Sequence, residues 1–293
     1  IPKFTKYKYR YVDINNCRMD LKQIYQKLNM LIINNKEELN KISNIQIEEL
    51  IINFNSDIYF HKYDLRNVKR IKFLNIFNSK IINLPDHMIR LEVGDYFSDI
   101  INKFPKKLNQ LIIGNSFNYD IENKLPKDIE YLKIGNDFNQ NMDYLKFYNK
   151  LKYIYLGNRF TKSITLPQNI ETIILGDSYN REIKVPNNCK TLILGNYFNS
   201  EINFEEGSKI IYIKVGYSFN TQIKFIPDSV ESLNLGSKYN LPLNNIPKNI
   251  KKIYVNKSNI FNIFNFEQLS VIKEKIYNVY GSKINIKIID NFI

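Results

Sequence analysis

The sequence predicts an α/β-type repeat solenoid in which one short strand per coil builds a single parallel β-sheet on a concave face. Three observations predict it. The stretch Pro167–Ile183 reads as Pro, an apolar residue three positions later, apolar-x-apolar-Gly, aromatic-Asn and then Ile, and the same string returns with edits along nearly the whole chain. Its first apolar position recurs at Tyr9, Leu28, Ile47, Val68, Met88, Leu108, Ile129, Leu151, Ile170, Cys189, Ile210, Val230 and Ile250, in steps of 19 to 22 residues. Gly94, Gly114, Gly135, Gly157, Gly176, Gly195, Gly216 and Gly236 each close the alternating segment, with Phe or Tyr three residues on.

A period near twenty with one alternating strand per unit is the signature of a leucine-rich-repeat coil, here of about 13 units of ~20 residues. Segments such as Ile173/Leu175 and Leu192/Leu194 are apolar at every second position, so each is a strand with one buried face. Gly at the strand end permits a sharp or positive-φ turn. The aromatics Phe97, Phe117, Phe138, Phe160, Tyr179, Phe198, Phe219 and Tyr239 should stack as an internal spine. The Asn that follows, as at Asn180, Asn199 and Asn220, is placed inward to bond backbone groups of its own turn and the next coil. Pro85, Pro105, Pro126, Pro167, Pro186, Pro227 and Pro247 stiffen the approach to the next strand and leave no room for a long helix.

The ends differ. Asp20–Leu28 places Leu21, Ile24, Tyr25 and Leu28 at helical spacing behind an Asp N-cap, predicting a short N-terminal helix. Phe266–Tyr280 predicts an amphipathic helix stopped by Gly281, with a strand at Ile284–Ile289; this helix–strand block would cap the coil. The whole of 1–293 is expected to be one domain, with divergent repeats over 1–74, the clearest repeats over 75–256 and the cap over 257–293.

The apolar fraction of 44% argues against disorder. The net charge of +13 is ambiguous, because a chain rich in Ile, Asn, Lys, Tyr and Phe and devoid of Ala matches A/T-rich coding. A lysine-coated solvated surface and an anion-binding patch both fit it. No secretory signal is read at Ile1–Thr5 and no apolar run is long enough to span a membrane, so a cytoplasmic protein is expected. The chain does not begin with Met, so it is expected to be a fragment or processed product.

The string Gly-x-x-Phe-Asn-x-x-Ile…Leu-Pro-x-x-Ile-x-x-Leu-x-Leu-Gly resembles the FNIP repeat, a leucine-rich-repeat variant. Its best copies are Gly114–Gly135, Gly176–Gly195 and Gly216–Gly236, although the family's Pro after Asn is not kept. The resemblance implies a protein of giant-virus (mimivirus-like) or social-amoeba type, and a host-cell cytoplasmic location if viral. Such repeats often sit behind an F-box, which implies presentation of substrates to a Skp1–cullin ubiquitin ligase. Residues 1–60 carry no F-box pattern, so that partner is implied only if an F-box precedes residue 1.

Chemistry-bearing motifs are missing. Cys189 holds a core position; Cys17 lies nine coils away, on the order of 40 Å at ~4.8 Å per strand, too far for a disulfide. His61 and His87 lack partners at ligand spacing, and no phosphate loop or nucleophile elbow occurs. The expectation is a non-enzyme without cofactor or metal.

Residues two and four before each Gly should face solvent and line the concave side. Its middle carries Tyr131, Lys133, Tyr153, Tyr155, Ile174, Ile193, Tyr212 and Lys214, aromatic and apolar residues with a charged rim, as protein interfaces are built. Tyr and Ile are also abundant in this chain and favour strands regardless of function. An unknown protein partner is the first reading. Arg70, Lys72, Arg90 and Lys252, interleaved with Tyr, make nucleic acid or another polyanion the alternative, although Glu49 and Glu92 interrupt that stripe. A structural or virion-associated assembly component is a third.

Overall fold

In a computed structural model of the chain, residues 12–13, 28–42, 46–279 and 281–285 are described. The expected helix at Asp20–Leu28 lies outside them except for Leu28, which opens a strand; Cys17 also lies outside. The chain gathers into two compact units that meet at Phe138 and Asn139 in sequence.

The first unit contains β1 (Val12–Asp13), β2 (Leu28–Ile33), α1 (Lys36–Lys41), β3 (Ile47–Ile52), β4 (Ile58–Tyr59), β5 (Arg70–Phe73), β6 (Ile81–Ile82), β7 (Arg90–Val93), β8 (Gln110–Ile113) and β9 (Tyr131–Ile134). β1, β2, β3, β5, β7, β8 and β9 lie side by side as a parallel ladder, and β4 pairs with β6 alone. From β5 onward each strand alternates half-buried and buried, the burial expected of period-2 segments with one face on a core. Helix α1 was not anticipated. Asn35 caps it by accepting from the Glu38 N–H at 3.1 Å, and the buried Glu38 carboxylate accepts from the Asn34 N–H at 2.8 Å. This reciprocal arrangement is a capping box in all but the exact donor.

The second unit contains β10 (Tyr153–Leu156), β11 (Thr172–Leu175), β12 (Ile183–Val185), β13 (Thr191–Leu194), β14 (Ile202–Phe204), β15 (Tyr212–Lys214), β16 (Ser232–Asn234), β17 (Lys252–Val255), α2 (Ile260–Ile263), α3 (Phe266–Ile272) and β18 (Ile276–Asn278). β10, β11, β13, β15, β16, β17 and β18 form its parallel ladder, and β12 pairs with β14. The cap departs from expectation. Helix α3 ends at Ile272, and the strand comes early, at Ile276–Asn278, pairing with β17. Ile284, where a strand was expected to begin, lies in an irregular segment that folds back on β18, its N–H donating to the Ile276 carbonyl at 3.2 Å. Residues beyond 285 lie outside the described ones.

Within each unit the aromatics stack as expected. Phe77, Phe97, Phe117 and Phe138 lie 6.2, 6.2 and 6.3 Å apart, with rings 23°, 10° and 8° from parallel. Phe160, Tyr179, Phe198, Phe219 and Tyr239 follow suit at 5.6 to 6.1 Å. Each buried ring contributes roughly 2–3 kcal/mol by leaving water, and each offset pair adds about 1 kcal/mol. Each of the seven repeat prolines opens a β-turn rather than merely stiffening the chain: Met88, Leu108 and Ile129 donate to the carbonyls of Pro85, Pro105 and Pro126, and Ile170, Cys189, Val230 and Ile250 to those of Pro167, Pro186, Pro227 and Pro247, at 3.0 to 3.2 Å.

Two readings need correction. Only Gly236, of the described strand-end glycines, has positive φ, at 72°. Gly94, Gly114, Gly135, Gly176, Gly195 and Gly216 are required by close approach. A Cβ on Gly94, Gly135 or Gly176 would stand 2.6 Å from the Cα of Asn75, Asn115 or Asn158 in the preceding coil. The Asn after the aromatic is not inward either: Asn180, Asn199, Asn220 and Asn240 are exposed. Its bonding is as expected, because the aromatic anchors the turn and leaves the next side chain at the coil surface. The side-chain oxygens of Asn180, Asn199 and Asn220 accept the N–H groups of Asn199, Asn220 and Asn240 at 2.8, 2.7 and 2.9 Å.

Candidate functional site

Strand alternation puts every second ladder residue on the solvent side, and parallel register lines these residues up in rows whose successive members are about 4.8 Å apart. In the first unit one row runs Glu49, Arg70, Arg90, Gln110, Tyr131, and the other Ile51, Lys72, Glu92, Ile112, Lys133. Ile51 is the one described residue on this face that is buried.

The charges of this face are largely spent on each other. Lys72 Nζ lies 2.6 Å from one Glu92 oxygen and Arg90 Nη2 2.8 Å from the other. Arg90 Nη1 donates to Gln110 Oε1 at 3.3 Å, and Arg70 Nη2 pairs with Glu48 at 3.2 Å. Burial alone would raise the Glu92 pKa; the hydrogen bonds and charges of Lys72 and Arg90 outweigh it and hold the carboxyl below its ordinary value. Three of the four sequence-predicted anion contacts are therefore ion-paired.

The second unit's face is different. One row runs Tyr153, Thr172, Thr191, Tyr212, Ser232, Lys252, and the other Tyr155, Ile174, Ile193, Lys214, Asn234, Tyr254, Tyr277. No carboxylate stands in either row. The tyrosines and isoleucines are half-buried, whereas Lys214 and Lys252 are exposed and make no ion pair among the described residues. Burial, with Tyr254 nearby, raises the Tyr212 phenol above its ordinary pKa.

Of the predicted interface residues, the structure thus collects Tyr153, Tyr155, Ile174, Ile193, Tyr212 and Lys214 on one face; Tyr131 and Lys133 sit on β9 of the first unit. Sequence reasoning missed Tyr277, whose ring lies 5.5 Å from that of Tyr254. The signal was masked because Leu269, Ile272 and Ile276 keep a helical spacing through the helix end.

Nothing among the described residues suggests reaction chemistry. No group of three His, Cys, Asp or Glu is placed to hold a metal. His87 Nε2 donates to the Leu65 carbonyl at 3.1 Å, and His61 is paired with Asn83. The buried Cys189 thiol lies 3.3 Å from the Thr191 carbonyl, and burial pushes its pKa up to about 12, which disfavours the reactive thiolate. No described helix is long and apolar enough to cross a membrane.

Comparison with protein families agrees with the repeat pattern. The FNIP Repeat family matches residues 97–137 and 208–238. A search of curated proteins finds no match. Among solved structures, the chain is similar to CroV588, described as a novel circular leucine-rich-repeat protein, with TM-score 0.49 and 20% identity over 86% of this chain. The chain spans 56% of that protein's length. With its Gly-x-x-aromatic-Asn coils and parallel ladders this chain is a repeat protein, and its two matched stretches are similar to the FNIP Repeat.

Proposed function

We propose that the chain is a non-enzymatic protein-recognition module that takes its partner on the second unit's sheet face. Repeat folds of this type suit protein interaction in general, because stacked coils present a broad rigid surface with two variable side chains per coil. The observation that carries the proposal is the band Tyr155–Ile174–Ile193 beside Tyr153–Thr172–Thr191–Tyr212, bounded by Lys214 and free of carboxylates. Rigid aromatic and branched anchors beside a cationic rim are what interface hot spots use. The family resemblance adds that such a partner could be a substrate recruited for an F-box type ubiquitin ligase.

The test is affinity capture with cross-linking, comparing the native chain with a Tyr153→Ala/Tyr155→Ala double variant of native circular dichroism. Loss of the captured protein is expected, at a cost of about 2 kcal/mol or more in binding. An Arg90→Ala/Glu92→Ala variant on the other face should capture normally. Undiminished capture by the tyrosine variant would sink the proposal.

A further inference from the structure

We propose that a groove at the end of the second unit binds an oxyanion ligand of phosphate or sulfate type. The repeat grammar breaks at this end of the unit. In seven successive coils the residue after the strand-end position is Asn or Asp: Asn75, Asp95, Asn115, Asn136, Asn158, Asp177 and Asn196. This residue has a structural task. The side-chain oxygens of Asn75, Asp95, Asn115 and Asp177 accept the backbone N–H of the corresponding residue one coil later, at 3.2, 3.3, 3.2 and 2.9 Å. The next three coils abandon the rule and carry Tyr217, Ser237 and Lys257. Where a sequence breaks its own structural rule with no evident gain in stability, function is the expected reason.

All three replaced residues line one groove of about 680 Å³, together with Lys238, Asn220 and Asn240. The groove forms where Asn256 takes the place of the strand-end Gly and caps a 3-10 turn, Lys257–Asn259, that leads into α2 instead of another repeat turn. Its chemistry is one-sided. No carboxylate lines it. Lys238 Nζ rests 5.1 Å from the centre of the exposed Tyr217 ring, and neither Lys238 nor Lys257 has an ion-pair partner among the described residues.

The two asparagines add donors. The Asn220 carbonyl oxygen is occupied by the Asn240 N–H, and that of Asn240 by the Asn262 side-chain amide. Their NH₂ groups therefore remain to face a ligand. Two ammoniums and two amide donors without a competing acid match the several acceptor oxygens of a phosphoryl or sulfuryl group. The Tyr217 ring leaves room for an apolar portion of a larger ligand beside it.

The experiment is a pyrophosphate titration of the isotope-labelled full chain at low salt, following the side-chain NH₂ resonances of Asn220 and Asn240. Saturable shifts of both are expected. A Lys238→Gln/Lys257→Gln variant should bind about tenfold more weakly, as for loss of two charge-assisted contacts. A Lys184→Gln/Lys209→Gln variant removes the same charge from exposed sites outside the groove and should bind as the native chain does. Parallel titrations with sulfate and with a nucleoside diphosphate distinguish a bare oxyanion from a phosphoryl group on a larger molecule. Absence of saturable shifts, or equal weakening by both lysine pairs, would show only diffuse attraction to a polycation and overturn the proposal.

Discussion

At the scale of single residues, the strand-end glycines show how a correct pattern can carry the wrong reason. The recurrence was plain in the sequence, and a positive-φ turn was its natural explanation. The actual cause is distance: Gly176 lies so near the preceding coil that a Cβ would meet Asn158 Cα at 2.6 Å. Sequence shows that a position needs Gly but not whether dihedral or clearance demands it. The two causes predict different costs. Gly176→Ala should lower stability by about 3 kcal/mol, since overpacking against backbone finds no soft side chain to displace. Gly207→Ala, at φ 78° but with open space around it, should cost only about 1 kcal/mol of backbone strain. Urea midpoints of the two variants measure this, and equal losses would refute the clearance account.

At the scale of elements, the strand rows were legible because period 2 is strict and the steps keep register. Lys72 and Glu92 both stand two places before the strand end, so their pairing across β5 and β7 follows from stacking. Other elements were less readable. Helix α1 rests on Asn35 and Glu38, a capping signal that a search for strand repeats passes over. Strand β18 was hidden because Ile276 continues the helical spacing of α3, and only the available edge of β17 decides for strand. The surface asparagines are an element in their own right. Asn199 Oδ1 accepts from the Asn220 N–H at 2.7 Å and the Thr221 hydroxyl at 3.0 Å. Asn199→Leu should cost about 1 kcal/mol and speed hydrogen exchange at the Asn220 amide, while Asn199→Asp, which keeps the acceptor, should leave that amide protected.

At the scale of the whole molecule, groups buried in the core of the second unit set the response to alkali. Burial raises the phenol of Tyr179 well above its ordinary value, that of Tyr239 from 10.0 to about 12, and the Cys189 thiol from 9.0 to about 12. Each folded-state pKa exceeds the unfolded one, so the stabilisation is complete below the ordinary value and is lost as pH climbs from there toward the folded value. Stability should therefore decline from about pH 9 upward, with these tyrosines ionising only as the fold opens. Tyr239→Phe should move that transition to higher pH. It should also raise the melting temperature at neutral pH, because the Tyr239 hydroxyl lies near the Ile223 backbone without hydrogen-bonding geometry. Thermal melts and absorbance titrations from pH 8 to 12 read both effects; an unchanged alkaline midpoint would contradict them. The exposed asparagine rungs carry a last consequence, for how such a gene changes length. Rungs that bridge 19, 20, 21 and 22 residues close the same bond between equivalent places. Small insertions and deletions between rungs are thus absorbed locally, and copying or losing one coil's worth of codons in frame adds or removes a single rung. Such a gene can widen or narrow its protein's sheet face one strand at a time without rewriting the letters on either side.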